Sequence, residues 1–282
     1  MKILITGATG FVGRHVINEL LKYDHQLIVA VRNKNSLNEL KDKIKIIEFD
    51  LDNLQPGKNY FSELSSPDLL IHLAWQGLPN YKASFHVEKN LPSHSVFLKN
   101  MVVNGLQNLV VTGTCFEYGM KEGCLSEDME SNPQNPYAIA KDKLRKFLEE
   151  LQKHNSFNLK WIRLFYMYGM GQNPNSLLSQ LEKAIQNGDT VFNMSGGEQL
   201  RDYLRIEKVA ENIVGIALQN KTNGIINCCS GVPIKIKTFV ENYLRKNNKK
   251  IKLNLGYYPY PDYEEMAFWG DDKKLKKILT NE

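Results

Sequence analysis

Tyr137 and Lys141 stand four residues apart in Asn135-Pro136-Tyr137-Ala138-Ile139-Ala140-Lys141. Proline suits the first turn of a helix, and a spacing of four puts both side chains on one helix face. A phenol beside an ammonium is a proton-transfer pair: the cation favours the phenolate and brings the tyrosine toward acid–base work near neutral pH. Thr114 closes the run Gln107-Asn108-Leu109-Val110-Val111-Thr112-Gly113-Thr114, which reads as a strand. Its hydroxyl can hold a substrate oxygen while Tyr137 delivers a proton to it. Such a pair alone also occurs by chance on solvated helix faces, and it gains meaning from the chain's first residues.

Thr6-Gly7-Ala8-Thr9-Gly10-Phe11-Val12-Gly13 follows the apolar run Lys2-Ile3-Leu4-Ile5 and precedes a helical stretch, Arg14 to Leu21. Strand, glycine turn and helix together are the context in which a glycine motif means dinucleotide binding. Gly7 makes the turn, Gly10 lets backbone approach a pyrophosphate, and Gly13 lets helix and strand pack closely. Thr9, Gly10, Phe11 and Val12 then offer free N–H groups at a helix N-terminus. The spacing is Gly-x-x-Gly-x-x-Gly, and the competing reading is a tight β–α turn without a ligand.

The strand from His25 to Arg32 is the next binding element. NAD-selective sites place Asp or Glu at its end, against the ribose hydroxyls. Here Val31 holds that place and Arg32 follows it. A cation there attracts a 2′-phosphate, so NADP(H) is expected ahead of NAD(H), which stays possible; otherwise Arg32 is a solvated residue. Asp50, after the strand Lys45–Phe49, is a candidate for the adenine amino group, with Leu51 beside it. Leu73 and small Ala74 end the fourth strand (67–74) and leave room for a cofactor, with Trp75 next to them facing the pocket. His72, among apolar neighbours, reads as a packed or loop-bracing histidine and not as a base.

Strands and helices alternate through the sixth strand, Leu159–Phe165, with a long helical pattern over 81–104 interrupted near Pro92 and an amphipathic helix over 137–153. This predicts an α/β protein: a Rossmann-type doubly wound parallel sheet of about seven strands, with a smaller C-terminal substrate-binding subdomain. We place the dinucleotide-binding domain at 1–168, with 201–230 packing back on it, and the substrate-binding subdomain at 169–200 and 231–282. The later elements expected are helices over 176–187, 209–218 and 236–246, a strand over 224–228, a Pro/aromatic loop over 257–263 and a short helix from Asp271.

Composition bounds the partners. The 282 residues are 42% hydrophobic and 24% charged, with a net charge of +5. That describes an ordinary globular protein, and no basic-aromatic platform points to nucleic acid. No apolar run reaches membrane-spanning length, and the opening residues read as a strand and not a leader. The four cysteines (Cys115, Cys124, Cys228, Cys229) form no Cys-x-x-Cys pair. Reduced thiols, no metal site and a cytoplasmic location are expected.

Taken together, these motifs resemble the extended branch of the short-chain dehydrogenase/reductase superfamily, the NAD-dependent nucleotide-sugar epimerases, dehydratases and reductases. The glycine motif matches. Ile71-His72-Leu73-Ala74 resembles that branch's His-Leu-Ala-Ala strand, with Trp75 replacing the second alanine. Thr112-Gly113-Thr114-Cys115-Phe116-Glu117-Tyr118-Gly119 resembles its Ser-Ser-(Ser/Thr)-x-x-Val-Tyr-Gly stretch, and Tyr137 and Lys141 match its catalytic pair. Residues Arg163 to Gln172 resemble Arg-x-Phe-Asn-Val-Tyr-Gly-Pro-Gly, and Gln199-Leu200-Arg201-Asp202-Tyr203 resembles Gln-x-Arg-Asp-(Tyr/Phe). The resemblance implies catalysis by Thr114, Tyr137 and Lys141, with Lys141 lowering the Tyr137 pKa and gripping the ribose. It makes Trp75, Tyr166, Arg201 and Trp269 candidates for the sugar nucleotide. For Arg201 and Asp202 the alternative is an internal ion pair; for Trp269 it is a core anchor. It also implies a homodimer through the 81–104 and 137–153 helices.

The departures narrow the reaction. Dehydratases of this branch carry Asp-Glu or Ser-Glu directly after the catalytic threonine; Cys115 and Phe116 stand there here, and Glu117 is one position late. A short chain, Val31-Arg32 and the ending Tyr258 to Asp271 tilt the expectation to a reductase. It would reduce the 4-keto group of a nucleotide-linked, dTDP-linked in the first instance, 4-keto-6-deoxysugar for cell-surface polysaccharide (O-antigen) synthesis. The rivals are a UDP-hexose 4-epimerase type using bound NAD, and a non-catalytic NAD(P)-binding regulator.

Overall fold

The computed structural model describes residues 1–262 and 264–280. Tyr263, in the expected Pro/aromatic loop, lies outside the described residues. Seven strands build the main sheet: β1 (Lys2–Thr6), β2 (Gln26–Val31), β3 (Lys45–Glu48), β4 (Leu69–His72), β5 (Asn108–Thr114), β6 (Asn158–Leu164) and β7 (Gly224–Cys228). Their order is β7-β6-β5-β4-β1-β2-β3, and every pairing is parallel. The strand order reverses between β1 and β4, where Thr6 lies in register with His72. Ligands of open α/β sheets bind at such a switch point, beyond the carboxyl ends of the strands.

Near-continuous apolar runs are what a sheet covered on both faces requires. Alternate residues divide between two cores, as a period of two dictates. Ile3, Ile5, Val29, Ile71, Val110 and Ile162 face one side, against the helices Phe11–Leu20 and Ile206–Leu218. Leu4, Ile28, Leu70, Leu109, Val111 and Trp161 face the other, against Leu91–Val103 and Pro136–Gln152. Pro92 begins a helix: it sits in the first turn of Leu91–Val103, directly after a π-type turn at His86–Asn90.

The carboxyl-end side of the sheet carries short strand pairs that the sequence did not reveal; all but one of these strands have three residues, too few to show an alternating pattern. Tyr166–Tyr168 lies parallel to Leu200–Arg205, which pairs antiparallel with Pro233–Lys235. Val191–Asn193 pairs with Lys252–Asn254, and Gly123–Leu125 with Phe268–Gly270. A third apolar core, with Leu181, Phe192, Met194, Phe239 and Val240 at its centre, lies under helices Leu177–Gln186 and Ile236–Lys246. One assignment changes. The last helix, Lys273–Leu279, placed from sequence in the substrate-binding part, seats Leu275 and Ile278 in the main-sheet core beside Ile206–Leu218. Its apolar stripe matches that core, whereas Lys273, Lys276 and Lys277 are exposed.

Candidate active site

One cleft of about 1190 Å³ opens over the switch point. Its walls include Gly7, Thr9, Gly10, Phe11 and Val12 from the glycine loop, and Arg32, Asp50 and Leu51 from the ends of β2 and β3. Leu73, Ala74 and Trp75 line it after β4, Thr114 after β5, Tyr166 after β6, and Tyr137 and Lys141 from the Pro136–Gln152 helix. Gly7 and Tyr166, 159 positions apart in sequence, meet there because parallel strands deliver all their carboxyl ends to one edge.

The glycine loop is built for close approach. Gly7 has φ of +72°, and a Cβ on it would lie 2.6 Å from the Ala74 amide nitrogen. A Cβ on Gly13 would lie 2.1 Å from the Gly7 carbonyl oxygen. The helix starting at Phe11 has Gly10 as its N-cap and no side-chain cap, so first-turn N–H groups are left for an anion. This donor set fits a dinucleotide pyrophosphate. Gly13→Ala should therefore push loop and helix apart, at about 1–3 kcal/mol of overpacking. We expect a loss of dinucleotide affinity of about tenfold or more by calorimetry; unchanged affinity would place the dinucleotide elsewhere. Arg32 is exposed at the rim. Asp50 lines the cleft, but its carboxylate also accepts from the Asp52 amide (3.0 Å) and Asn53 Nδ2 (2.8 Å), bracing the turn.

Thr114 is nearly buried, and its Oγ1 accepts a hydrogen bond from the Phe116 amide at 3.3 Å. The hydroxyl proton is then free to point into the cleft. The Tyr137 ring is packed among Trp75, Tyr81 and His86, at centroid distances of 6.1, 5.6 and 5.4 Å. Burial pushes its phenol well above the ordinary tyrosine value, and hydrogen bonding with Thr114 offsets part of that rise. Lys141 is 1% exposed, and burial pulls its ammonium down to about 7. Its Nζ donates to the Thr112 carbonyl at 2.8 Å and lies 4.0 Å from the Trp75 ring centroid. Burial, and not the lowering expected from Lys141, sets the direction of the Tyr137 shift, and the phenol is held in its acid form.

Glu117, which looked one position late, has a structural task. Fully buried, its Oε1 accepts from the Thr114 amide (2.8 Å) and Trp161 Nε1 (3.0 Å), and its Oε2 from Arg163 Nε (2.8 Å). Thr114 and Glu117 form a reciprocal capping box on the short 3₁₀ turn Cys115–Tyr118. A Cβ on Gly113 would lie 2.2 Å from both Glu117 Oε1 and Trp161 Nε1, so only glycine fits there. The Thr-x-x-Glu spacing was the available signal. His72 is indeed packed: its Nδ1 lies 2.8 Å from Thr6 Oγ1 and its Nε2 2.7 Å from His94 Nδ1.

Two candidates stand outside the cleft wall. Arg201 is buried and bonded to Glu264 Oε2 through Nε (3.1 Å) and Nη2 (2.8 Å). Glu264, which the sequence reading passed over, is the member of that pair that lines the cleft. Arg201 and Asp202 do not pair, because neighbours on a strand point to opposite faces; Asp202 instead accepts from the amides of Ser230 and Gly231. Trp269 is opposite Cys124 in the Phe268–Gly270 strand and lies off the cleft. The same alternation turns its neighbour Phe268 inward, against Tyr166 (6.0 Å) and Arg201 (4.4 Å).

A Rossmann-type sheet, an uncapped glycine loop and Thr114, Tyr137 and Lys141 on one cleft are the features of a nicotinamide-dinucleotide enzyme. The chain belongs to the NAD dependent epimerase/dehydratase family, whose model matches residues 3–229. It is 33% identical over 271 residues to a dTDP-6-deoxy-L-talose 4-dehydrogenase (NAD(+)) of Aggregatibacter actinomycetemcomitans, covering 96% of this chain and 99% of the relative. It is 25% identical to an uncharacterized UDP-glucose epimerase, YtcB, of Bacillus subtilis, covering 99% and 92%. Its fold is similar to that of the UDP-glucuronic acid 4-epimerase of Bacillus cereus solved with UDP-glucuronic acid and NAD. The TM-score is 0.83 at 22% identity, covering all of this chain and 94% of that one. Among the described residues no helix is long and apolar enough to cross a membrane.

Proposed function

We propose that the chain reduces the 4-keto group of a nucleotide-linked 4-keto-6-deoxysugar, dTDP-linked in the first instance, in the cytoplasmic supply of deoxysugars for cell-surface polysaccharide. The observation that carries this reading is Thr114, Tyr137 and Lys141 on one cleft, with the only carboxylate of the Cys115–Tyr118 turn consumed by Trp161 and Arg163. Loss of water of the kind dehydratases drive needs a carboxyl there; hydride exchange at C4 does not. The relative named for dTDP-6-deoxy-L-talose is named for oxidation at that carbon, and a site that catalyses one direction catalyses its reverse.

A bound nicotinamide dinucleotide supplies the hydride to the sugar carbon. Thr114 Oγ1 holds the 4-oxygen by donating its hydroxyl proton. Tyr137 gives its phenolic proton to the same oxygen as negative charge develops on it. Lys141 faces the cleft as a cation, offsets the charge left on Tyr137, and offers N–H donors to the ribose. The 169–200 and 231–262 stretches hold the sugar nucleotide, with Tyr166 and Glu264 as the contacts on that side. In this reading the helices over 81–104 and 137–153 join two copies, which light scattering tests directly.

Arg32 selects the cofactor. It favours NADP(H) through the 2′-phosphate while leaving NAD(H) usable, as the name of the 33% identical relative suggests. A charged hydrogen bond of this kind is worth about 1.5–3 kcal/mol. Arg32→Asp should therefore lower the ratio of kcat/KM for NADPH over NADH by about tenfold or more. An unchanged ratio would reduce Arg32 to a solvated rim residue.

The test of the whole reading is incubation with NADPH or NADH and dTDP-4-keto-6-deoxyglucose or its C5 epimer. Loss of nicotinamide absorbance matched by a 4-hydroxy product supports it. No loss with either cofactor on several 4-keto sugars sinks it. The second reading, a 4-epimerase, has the 25% identical YtcB relative in its favour; it predicts copurifying NAD and interconversion of UDP-sugars without net cofactor oxidation.

A further inference from the structure

Lys141 is a buried lysine that makes no ion pair with a carboxylate among the described residues. Its Nζ donates to the Thr112 carbonyl at 2.8 Å, and a second side is covered by the Trp75 indole, 4.0 Å from Nζ to the ring centroid. Glu117 is the acidic group that acts on it, and that carboxylate is already bonded to Trp161 and Arg163. An indole face is the strongest of the aromatic surfaces for an ammonium, and its attraction grows when water is excluded.

The indole is itself held on its other sides. Its Nε1–H donates to His86 Nδ1 at 3.1 Å, and His86 Nε2 lies 3.0 Å from the Asn80 carbonyl. That carbonyl needs the proton on Nε2, which leaves Nδ1 free to accept from Trp75. His94 packs against the indole at 4.6 Å, and behind it runs the chain His94, His72, Thr6. Burial keeps His72 and His94 neutral, with His94 held down at about 3, and lowers His86 as well. Three uncharged imidazoles thus wall in a lone ammonium that a protonated ring would repel. Tyr137 and Glu117 complete the titratable groups around it.

We propose that Trp75 is a positioning residue that seats the Lys141 ammonium and aims it into the cleft. In the family motif that this segment resembles, an alanine stands at this place. Here the larger residue stands there, and His86 and His94 are the groups that orient it. Trp75 would then act on the reaction through Lys141, not as a sugar contact. The inference builds on the catalytic role given to Lys141, yet it is tested without substrate or turnover.

The test follows the Lys141 ε-methylene carbon signal in [13C]lysine-labelled protein from pH 5 to 10, assigned by its disappearance in Lys141→Met. Trp75→Leu keeps the space apolar and dry but removes the π face. It should move the Lys141 midpoint down by about one pH unit, a tenfold change in the ionisation constant. Trp75→Phe, which keeps a π face, should restore most of that shift. An unmoved midpoint in Trp75→Leu overturns the proposal. If that variant does not fold, the wild-type indole emission is the second measurement. Its intensity should change with the same midpoint as the Lys141 carbon, and the step should vanish in Lys141→Met; emission that is flat across the Lys141 titration overturns the proposal. Because neither measurement uses a sugar, failure of 4-keto reduction would overturn the proposed function and leave the seating of Lys141 to stand or fall on these titrations.

Discussion

Tyr137→Phe should lower kcat for reduction by about 10²–10⁴, the usual yield of a placed proton donor, or about 3–5 kcal/mol of barrier. The variant loses one oxygen and keeps the ring, so packing against Trp75, Tyr81 and His86 is retained. Binding should therefore stay within a few-fold while turnover collapses. The phenol is well suited to the reductive direction because burial holds it protonated, and reduction consumes that proton. Oxidation must begin from the phenolate and should be the direction favoured by rising pH. The check is single-turnover oxidation of NADPH or NADH with the 4-keto sugar, alongside calorimetric binding of both ligands. A rate within threefold of wild type would remove Tyr137 as the donor and leave Thr114 or water in its place.

Glu117→Ala should be the most damaging single change to the scaffold of the site. It removes the acceptor for the Thr114 amide, Trp161 Nε1 and Arg163 Nε at once. Arg163 is 1% exposed, and its Nη1 has no hydrogen-bond partner even in the intact protein. Deleting one member of a buried pair strands the other charge, at about 3–5 kcal/mol. For a chain of this size that corresponds to a fall in Tm on the order of 10 °C. Thr114 loses the brace that fixes its backbone, so kcat should drop in the folded fraction too. Glu117→Gln, which keeps one acceptor but turns an amide N–H toward other donors, should fall between the two. Urea denaturation resolves the difference, and a cost under about 1 kcal/mol would mean that Arg163 finds another partner.

Glu117 also shows where reading the chain in one dimension stops. The Thr-x-x-Glu spacing of a capping box is written in residues 114–117, but the use of that glutamate depends on Trp161 and Arg163 arriving on the next strand. Compared with family motifs, the residue stands one position too late to serve as the dehydratase acid; in three dimensions its carboxylate is bonded to Trp161 and Arg163 and lies off the cleft wall. Arg201 and Trp269 failed to reach the cleft wall for related reasons. Trp269 lies on a short strand, where a period of two sends one neighbour inward and the next outward, whereas Arg201 is buried behind Glu264, whose carboxylate it binds. Phe268 packs inward against Tyr166 and Glu264 lines the cleft, and nothing local distinguishes Phe268 from Trp269 before their strand has a partner.

The sequence by itself determined the sheet, the glycine loop and which three side chains, Thr114, Tyr137 and Lys141, share one cleft. Near-continuous apolar runs of four to seven residues demand a buried parallel strand. A glycine triplet between strand and helix allows a backbone approach that a Cβ would block. A Tyr-x-x-x-Lys helix following the β5 strand must bring both groups to the strand's carboxyl end. Only the tertiary structure decided the state of those groups. Burial sets the phenol high and the ammonium low, and burial is a sum over neighbours drawn from the whole chain. It also decided that Trp75 lies over Lys141, because that contact joins the end of β4 to a helix some sixty residues later, and no periodicity links the two. Local pattern specifies which groups reach the edge of the sheet; the packing between elements specifies their charge, their partners and the direction they face.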